Sequence, residues 1–430
     1  MQEAFIQLVW QLGYFNKQHW HTAEGDPITI YHPGLLNRDA GPDFKGARLK
    51  IGALQWHGDV ELHLKSSGWQ QHRHQLDPAY NKVVLHVVLE DDGVPALRQE
   101  GGAVPVASLQ GRIAPGLEER YQALMASLHA IPCEPQLPNV DSLTRLSMLD
   151  RTLMQRLQRK AEGVLQLVEQ NRGGWEEASW QFLARGFGFK KNAEPMEALA
   201  RRLPHTILLR HAAQPGQVEA LLFGMAGLLE GAATHPWVDV LQREWKFLQH
   251  KWELEGKGLP PGSWLFSRLR PANFPSLRLA QLAALLQAQP NLFSFLLNSS
   301  PQELLQGFAV EPSAYWQTHY HFGKESKQAV HGLGHSSAEN LLINTVAPLR
   351  VAWGRYTDQQ EHIDAAVELL QALPAEDNRI IRYWKGLNMP TATAADSQAL
   401  LELYNEFCTP KRCLHCSIGL SLLRHAGTPH

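Results

Sequence analysis

The spacing of apolar positions along the chain changes character near residue 116. Before it, short runs alternate with a period of two; after it, apolar residues recur every three or four positions. Phe5, Leu8, Val9 and Leu12 fall on one helical face and predict a helix over 3–12, with Trp10 and Phe15 in its core. A Gly-Asp-Pro turn then leads into a strand over 27–31. Residues 47–51 and 55–65 alternate as two strands joined around Gly52-Ala53. The run Val83 to Leu89 is apolar on both parities, as in a strand covered on both faces, so His86 inside it reads as a core histidine. Gly and Pro break up 91–116 into loops and short strands. Helices follow over 117–128, 141–170, 175–187, 192–203, 217–229, 237–252, 277–286 and 356–373. The pattern predicts an α/β domain over residues 1–115 and a helical domain over 116–430, with no exact internal repeat.

Chemistry concentrates on one strand. In Gly58-Asp-Val-Glu-Leu-His-Leu-Lys65 the odd positions are polar and the even ones apolar, so Asp59, Glu61, His63 and Lys65 project from one face. A solvated edge strand would also carry charges, which deter edge-to-edge pairing. Two acids, an imidazole and an ammonium in one line point instead to a site. Upstream, Gly41-Pro42-Asp43 is a turn at the start of the partner strand, and a hairpin pairing brings Asp43 towards Glu61. Two carboxylates so placed repel unless a cation lies between them, which is the basis of a Mg²⁺ site with His63 or Lys65 beside the attacking water. Downstream, His72, His74, Asp77 and Tyr80 are candidates to line the cleft and contact substrate. Imidazole and carboxylate also suit zinc, so a zinc hydrolase using His63, His72, His74 and Asp77 stays open.

The order helix, strand, two strands carrying Pro42-Asp43 and Glu61-x-His63-x-Lys65, histidine-rich segment, strand resembles the αβββαβ core of the PD-(D/E)XK, restriction-endonuclease-like nucleases. The resemblance implies an α+β or α/β core followed by a mostly helical domain. It also implies hydrolysis of nucleic-acid phosphodiesters, with Asp43 and Glu61 as Mg²⁺ ligands and Glu3 as a further acid. The superfamily places lysine two residues after the acid; here His63 stands there and Lys65 follows two later, which leaves a catalytically degenerate scaffold as the competing reading. Over nearly its whole length, through GPDF, GDVELHLKSSGW, HRHQLDPAY, IPCE and CTPKRCLHCSIG, the chain also resembles an uncharacterised bacterial family known only as a domain of unknown function.

Three of the four cysteines form a C-x4-C-x2-C run, Cys408, Cys413 and Cys416; Cys133 is the fourth. Clustered thiols in a cytosolic protein suit a metal better than disulfides. Cys133 completes a four-ligand set for Zn²⁺ or a [4Fe-4S] cluster, with His415 as a substitute. The split arrangement is similar to the iron-sulfur staple of certain PD-(D/E)XK nucleases, with different spacing.

Composition narrows the field only a little. With 40 basic and 42 acidic residues the formal charge is −2, so nucleic-acid binding requires a local basic face. The arginines near 268–278 are candidates for phosphate or for structural ties. Gly332 to Asn340 reads as a glycine turn into a serine-capped helix without the lysine of a P-loop. Met1 to Asn16 lacks a cleavable leader pattern, and no apolar run approaches the ~18 residues that cross a bilayer, so the expectation is a cytoplasmic protein that does not enter membranes, of undetermined oligomeric state.

Overall fold

The computed structural model describes residues 3–37 and 39–424. It is a mixed α+β structure, with a mixed sheet in the N-terminal part and a mostly helical remainder. It divides into two compact units: unit 1 comprises the residues up to Met148 together with those from Leu403 onward, and unit 2 is Leu149–Glu402. The boundary expected near residue 115 therefore falls inside unit 1.

Unit 1 begins with α1 (Glu3–Leu12), whose Phe5, Ile6, Leu8, Val9 and Trp10 are buried. The sheet contains β1 (Ile28–His32), β2 (Leu35–Leu36), β3 (Phe44–Ile51), β4 (Leu54–Lys65) and β5 (Val83–Glu90), with Val106–Ser108 at its far edge. β1 and β4 both run antiparallel to β3, whereas β5 runs parallel to β4. A parallel pair needs a crossover, and the crossover is compact here: a single-turn helix, α2 (Gly68–Gln71), then 3-10 turns His74–Leu76 and Pro78–Lys82. Trp69, Tyr80, Val83, Val88, Ala96, Val104 and Val106 bury one another around it. The three buried indoles of this unit each donate to a carbonyl: Trp10 reaches Pro33, Trp20 reaches Ser108 and Trp69 reaches Leu97, at 2.8–2.9 Å.

The strict alternation of β4 leaves a solvated polar face as the competing reading. Instead both parities are buried at its C-terminal half: Val60 and Leu62, and also Glu61 and His63, at 5 % and 1 % exposure. β4 is a central strand, with α1, α2 and the Pro78–Lys82 turn packed on it. Burying ionisable groups is unfavourable unless they are paired or hydrogen-bonded, so Glu61 and His63 require partners from the elements that cover them.

Unit 2 is built of helices with one small hairpin, His319–His321 with Lys324–Glu325. The helix Pro275–Ala288 is buried on every side, as its near-continuous apolar sequence requires. Arg278 lies within it and donates to Gln281, Asn273 and Ser337, so this arginine is a structural tie. The helix His335–Leu341 starts at Gly334 without a side-chain cap, contrary to the serine cap expected. The periodicity over 356–373 spans a break: one helix ends at Thr357, Asp358 takes a left-handed φ of 55°, and a new helix begins at Gln360. A polar network around buried Glu402 and Gln398 completes the unit. Arg159 donates to both oxygens of Glu402, Arg156 to Glu402 and Gln398, and Lys160 to Asn344 and Gln398, with Gln398 in turn donating to Glu376. No helix among the described residues is long and apolar enough to cross a membrane.

Candidate functional site

Asp43 ends a loop that is held rigidly. The side-chain amide of Asn37 donates to the carbonyls of Asp39, Ala40 and Pro42 at 3.1, 3.3 and 3.0 Å, while Gly41 turns the chain with a φ of 104° that side-chain-bearing residues avoid. Phe44 pairs with Val60, so one step further along the ladder Asp43 faces Glu61. The two interlock: the amide of Asp43 donates to Glu61 Oε2 at 2.9 Å, and the amide of Leu62 donates to Asp43 Oδ2 at 3.0 Å. From α1, Gln7 Nε2 donates to Asp43 Oδ1 at 2.8 Å.

The crossover brings the histidines to these acids. α2 lies against the ring of His63 at a point where a Cβ on Gly68 would come within 2.7 Å of it, so only glycine permits this approach. His72 caps the C-terminus of α2, Arg73 adopts a left-handed φ of 61°, and His74 opens the next turn. That single reversed residue lets His72 remain at the surface while His74 turns inward, the convergence that a regular helix could not give His-x-His. Tyr80 stacks on His74 with ring centroids 3.7 Å apart. Among the described residues, His63, His72 and His74 each offer a ligand nitrogen, all within 4.8 Å of one another. His63 Nε2 is 3.0 Å from His72 Nδ1, and Glu61 Oε1 lies 3.3 Å from His74 Nε2 and 3.6 Å from His63 Nε2.

Burial sets the charge states. Desolvation raises the carboxyls of both Asp43 and Glu61, and for Asp43 the neighbouring Glu61 charge adds to it. Desolvation likewise pushes His63 down to about 2 and His86 to about 3, and lowers His74. These three imidazoles are therefore neutral near pH 7 and present lone pairs, the state that binds metals. His74 Nε2 is buried and makes no hydrogen bond of acceptable angle, although Glu61 is 3.3 Å away. Ligand atoms held at ~2.1 Å around one ion lie roughly 3 to 3.5 Å apart, and the distances from Glu61 Oε1 to His74 and His63, 3.3 and 3.6 Å, are near that scale. The donor set of one carboxylate and up to three imidazoles, with Asp43 adjoining, thus fits a divalent metal.

A family model described as Protein of unknown function (DUF2851) matches residues 3–379. The chain belongs to DUF2851. No curated protein and no solved structure matches it. The stretch matching DUF2851 includes every residue of the site.

Other residues of this DUF2851 chain fall elsewhere. Lys65 is 57 % exposed in its side chain and lies 3.7 Å from Glu90, away from the acids, because β4 runs on past the elements that cover Glu61 and His63. Asp59 is half-buried and accepts from Gly46. Asp77 caps the Pro78–Lys82 turn by accepting from Ala79 at 2.9 Å, and its charge also opposes the lowering of His74. Two contributors escaped the sequence reading. His86 is in register with Glu61 and its Nε2 lies 2.8 Å from His63 Nδ1, so it positions the His63 ring. Gln7 stands four residues after Glu3 on one face of α1, and Glu3 is near enough to raise the carboxyls of Asp43 and Glu61. The Glu3 to Gln7 spacing was the available signal for Gln7; an apolar run hid His86. The four cysteines form a different buried group in the same unit.

Proposed function

We propose that unit 1 is a metal-dependent hydrolase that cleaves phosphodiester bonds of nucleic acid, with Asp43, Glu61, His63, His72 and His74 as its metal-holding residues. The observation that carries this reading is the convergence of a carboxylate pair, buried Glu61 and half-buried Asp43, with three imidazole nitrogens at a central strand. A divalent ion held there would act as a Lewis acid and supply hydroxide near neutral pH. The chain's own groups do the rest. Gln7 and the Leu62 amide orient Asp43, the Asp43 amide orients Glu61, His86 fixes the tautomer of His63, and Tyr80 supports the ring of His74. Exposed His72 stands at the rim, where a substrate phosphate would arrive.

The nuclease assignment draws support from topology. A helix, three strands meandering antiparallel, a helical crossover and a parallel fourth strand follow the order and directions of an endonuclease-like core. Three imidazoles shift the metal preference from Mg²⁺, which favours oxygen and water, towards Zn²⁺ or Mn²⁺. The same donor set supports a zinc hydrolase of another substrate, as does the displacement of Lys65 from the acids.

The test is cleavage of single- and double-stranded DNA and RNA by protein stripped of metal and reloaded with Mg²⁺, Mn²⁺ or Zn²⁺. Cleavage with Mn²⁺ or Zn²⁺, abolished by Glu61→Gln, is expected. Metal-loaded protein inert on every nucleic acid would reject the nuclease reading. If it nevertheless hydrolyses a simple ester, the zinc-hydrolase reading takes its place.

A further inference from the structure

The fold places four thiols together in unit 1 by a route that local packing does not demand. Cys133 immediately precedes the 3-10 helix Glu134–Asn139, Cys408 closes the π-helical turn Leu403–Cys408, and Cys413 and Cys416 bracket the turn Cys413–His415 that leads into the helix Ser417–Arg424. All four are unbridged and 7–8 % exposed. The elements that carry them pack together: the 3-10 helix that follows Cys133 lies against the helix Ser417–Arg424 that follows Cys416, and the turn Leu403–Cys408 lies against Cys413–His415. Burial first, and then the neighbouring thiols, raise the Cys133 and Cys408 thiols.

The backbone around them is tightly constrained. Lys411 adopts a left-handed φ of 53°, and its ammonium donates to the carbonyls of Met125 and Ser127 at 2.6 and 2.9 Å, just ahead of Cys133. Arg120 donates to the Leu423 carbonyl at 3.1 Å, and the Ser417 amide reaches Met148 Sδ at 3.4 Å. A Cβ at Gly419 would fall 2.3 Å from the Cys413 carbonyl, so the last helix can approach the thiol loop only with glycine there. Isolated buried cysteines behave as small hydrophobes. Here four come from two sequence regions more than 270 residues apart, on rigid turns, as a thiolate cage requires. The trio also lies beyond the stretch that the family model matches.

We propose that Cys133, Cys408, Cys413 and Cys416 form a tetrathiolate metal centre, binding one thiophilic group, either Zn²⁺ or an iron-sulfur cluster, and fastening the segment from Leu403 onward to the rest of unit 1. The site is independent of the carboxylate–histidine site. Binding deprotonates the thiols and so compensates for burying them side by side, and because the unfolded chain has no such site, metal binding becomes folding free energy.

The full chain, purified anaerobically, tests this by metal analysis, labile sulfide and absorbance. His72→Ala/His74→Ala protein serves as the background, so that metal held by the histidines is not counted. About one zinc, or about four iron with four sulfide and an absorbance band near 400 nm, per chain is expected. Cys133→Ser and Cys413→Ser should each lower that content at least about tenfold. Should these variants fail to fold, the unaltered cysteines still decide the matter, because an organomercurial must release the metal in step with blocking of the thiols. Metal-free protein whose four thiols titrate freely, or form disulfides, overturns the proposal. Metal lost with the histidine pair but insensitive to the cysteines overturns it as well.

Discussion

Two buried polar centres, one in each unit, are built on opposite principles. In unit 2 the members of the network hydrogen-bond one another: Glu402 accepts from Arg156 and Arg159, and Lys160 donates to two side-chain carbonyls. In unit 1 the neighbours are mostly of one kind. Carboxylates face each other, neutral imidazoles contact one another, and His74 Nε2 and His86 Nδ1 make no hydrogen bond. A buried network that exists for stability is satisfied by its own members, and one that exists for function keeps bonding capacity in reserve. Charged residues that both look conspicuous in sequence are thereby separated into roles by whether their partners are complementary.

The contrast is broken most forcefully by removing one acid from each centre. Glu402→Ala should destabilise unit 2 by about 1 to 3 kcal/mol in denaturant unfolding, since it removes the buried carboxylate that accepts from half-buried Arg156 and from Arg159. Glu61→Gln should leave metal-free unit 1 as stable as before or slightly more so, because it removes a desolvated carboxyl and relieves its repulsion with Asp43. Equal losses in the two would erase the distinction.

His86→Ala sharpens it next. A residue that only orients a ligand typically changes metal affinity by about 10- to 100-fold, so titration calorimetry should show that loss while the unfolding midpoint moves far less than for Glu402→Ala.

Lys160 allows a pH test of unit 2. Burial, aided by Arg156, lowers its ammonium to about 7 from 10.5. Between those values the unfolded chain holds a proton that the folded chain has shed, so the penalty is complete below pH 7 and fades as pH rises towards 10.5. Stability should therefore climb over that range, by at most about 1.4 kcal/mol per pH unit from this group. In Lys160→Met the same unfolding series should lose that part of the slope; an unchanged slope would mean the ammonium stays protonated in the fold.

The smallest effect is expected at Lys65. Its exposed pairing with Glu90 implies less than about a twofold change in metal affinity or cleavage for Lys65→Ala, and a large loss would restore it to the site.

Much of the first unit was legible from period alone. The helix at 3–12, the hairpin strands and the apolar β5 follow from local alternation, and so does the shared face of Glu61 and His63. What was not legible is what covers a strand. Alternation treats Asp59, Glu61, His63 and Lys65 alike, whereas α1 and the crossover enclose only the middle two. His86 looked like core because its neighbours are Leu85 and Val87, and only the ladder reveals that it stands beside Glu61. The helix break at Asp358 also left no mark, since a single left-handed non-glycine residue has no compositional signature. Nor does periodicity show that residues from Leu403 onward return to the first unit.

That return has a consequence in time. Because unit 1 is drawn from both sides of Leu149–Glu402, a ribosome delivers the sheet and its carboxylate–histidine site first, all of unit 2 next, and the closing segment last. At ordinary rates of synthesis the interval is on the order of 10 to 50 seconds, during which Cys133 has none of its three thiol neighbours. Unit 2 can fold as an uninterrupted piece of chain in that interval, while the earlier-made unit waits, incomplete, for its final residues.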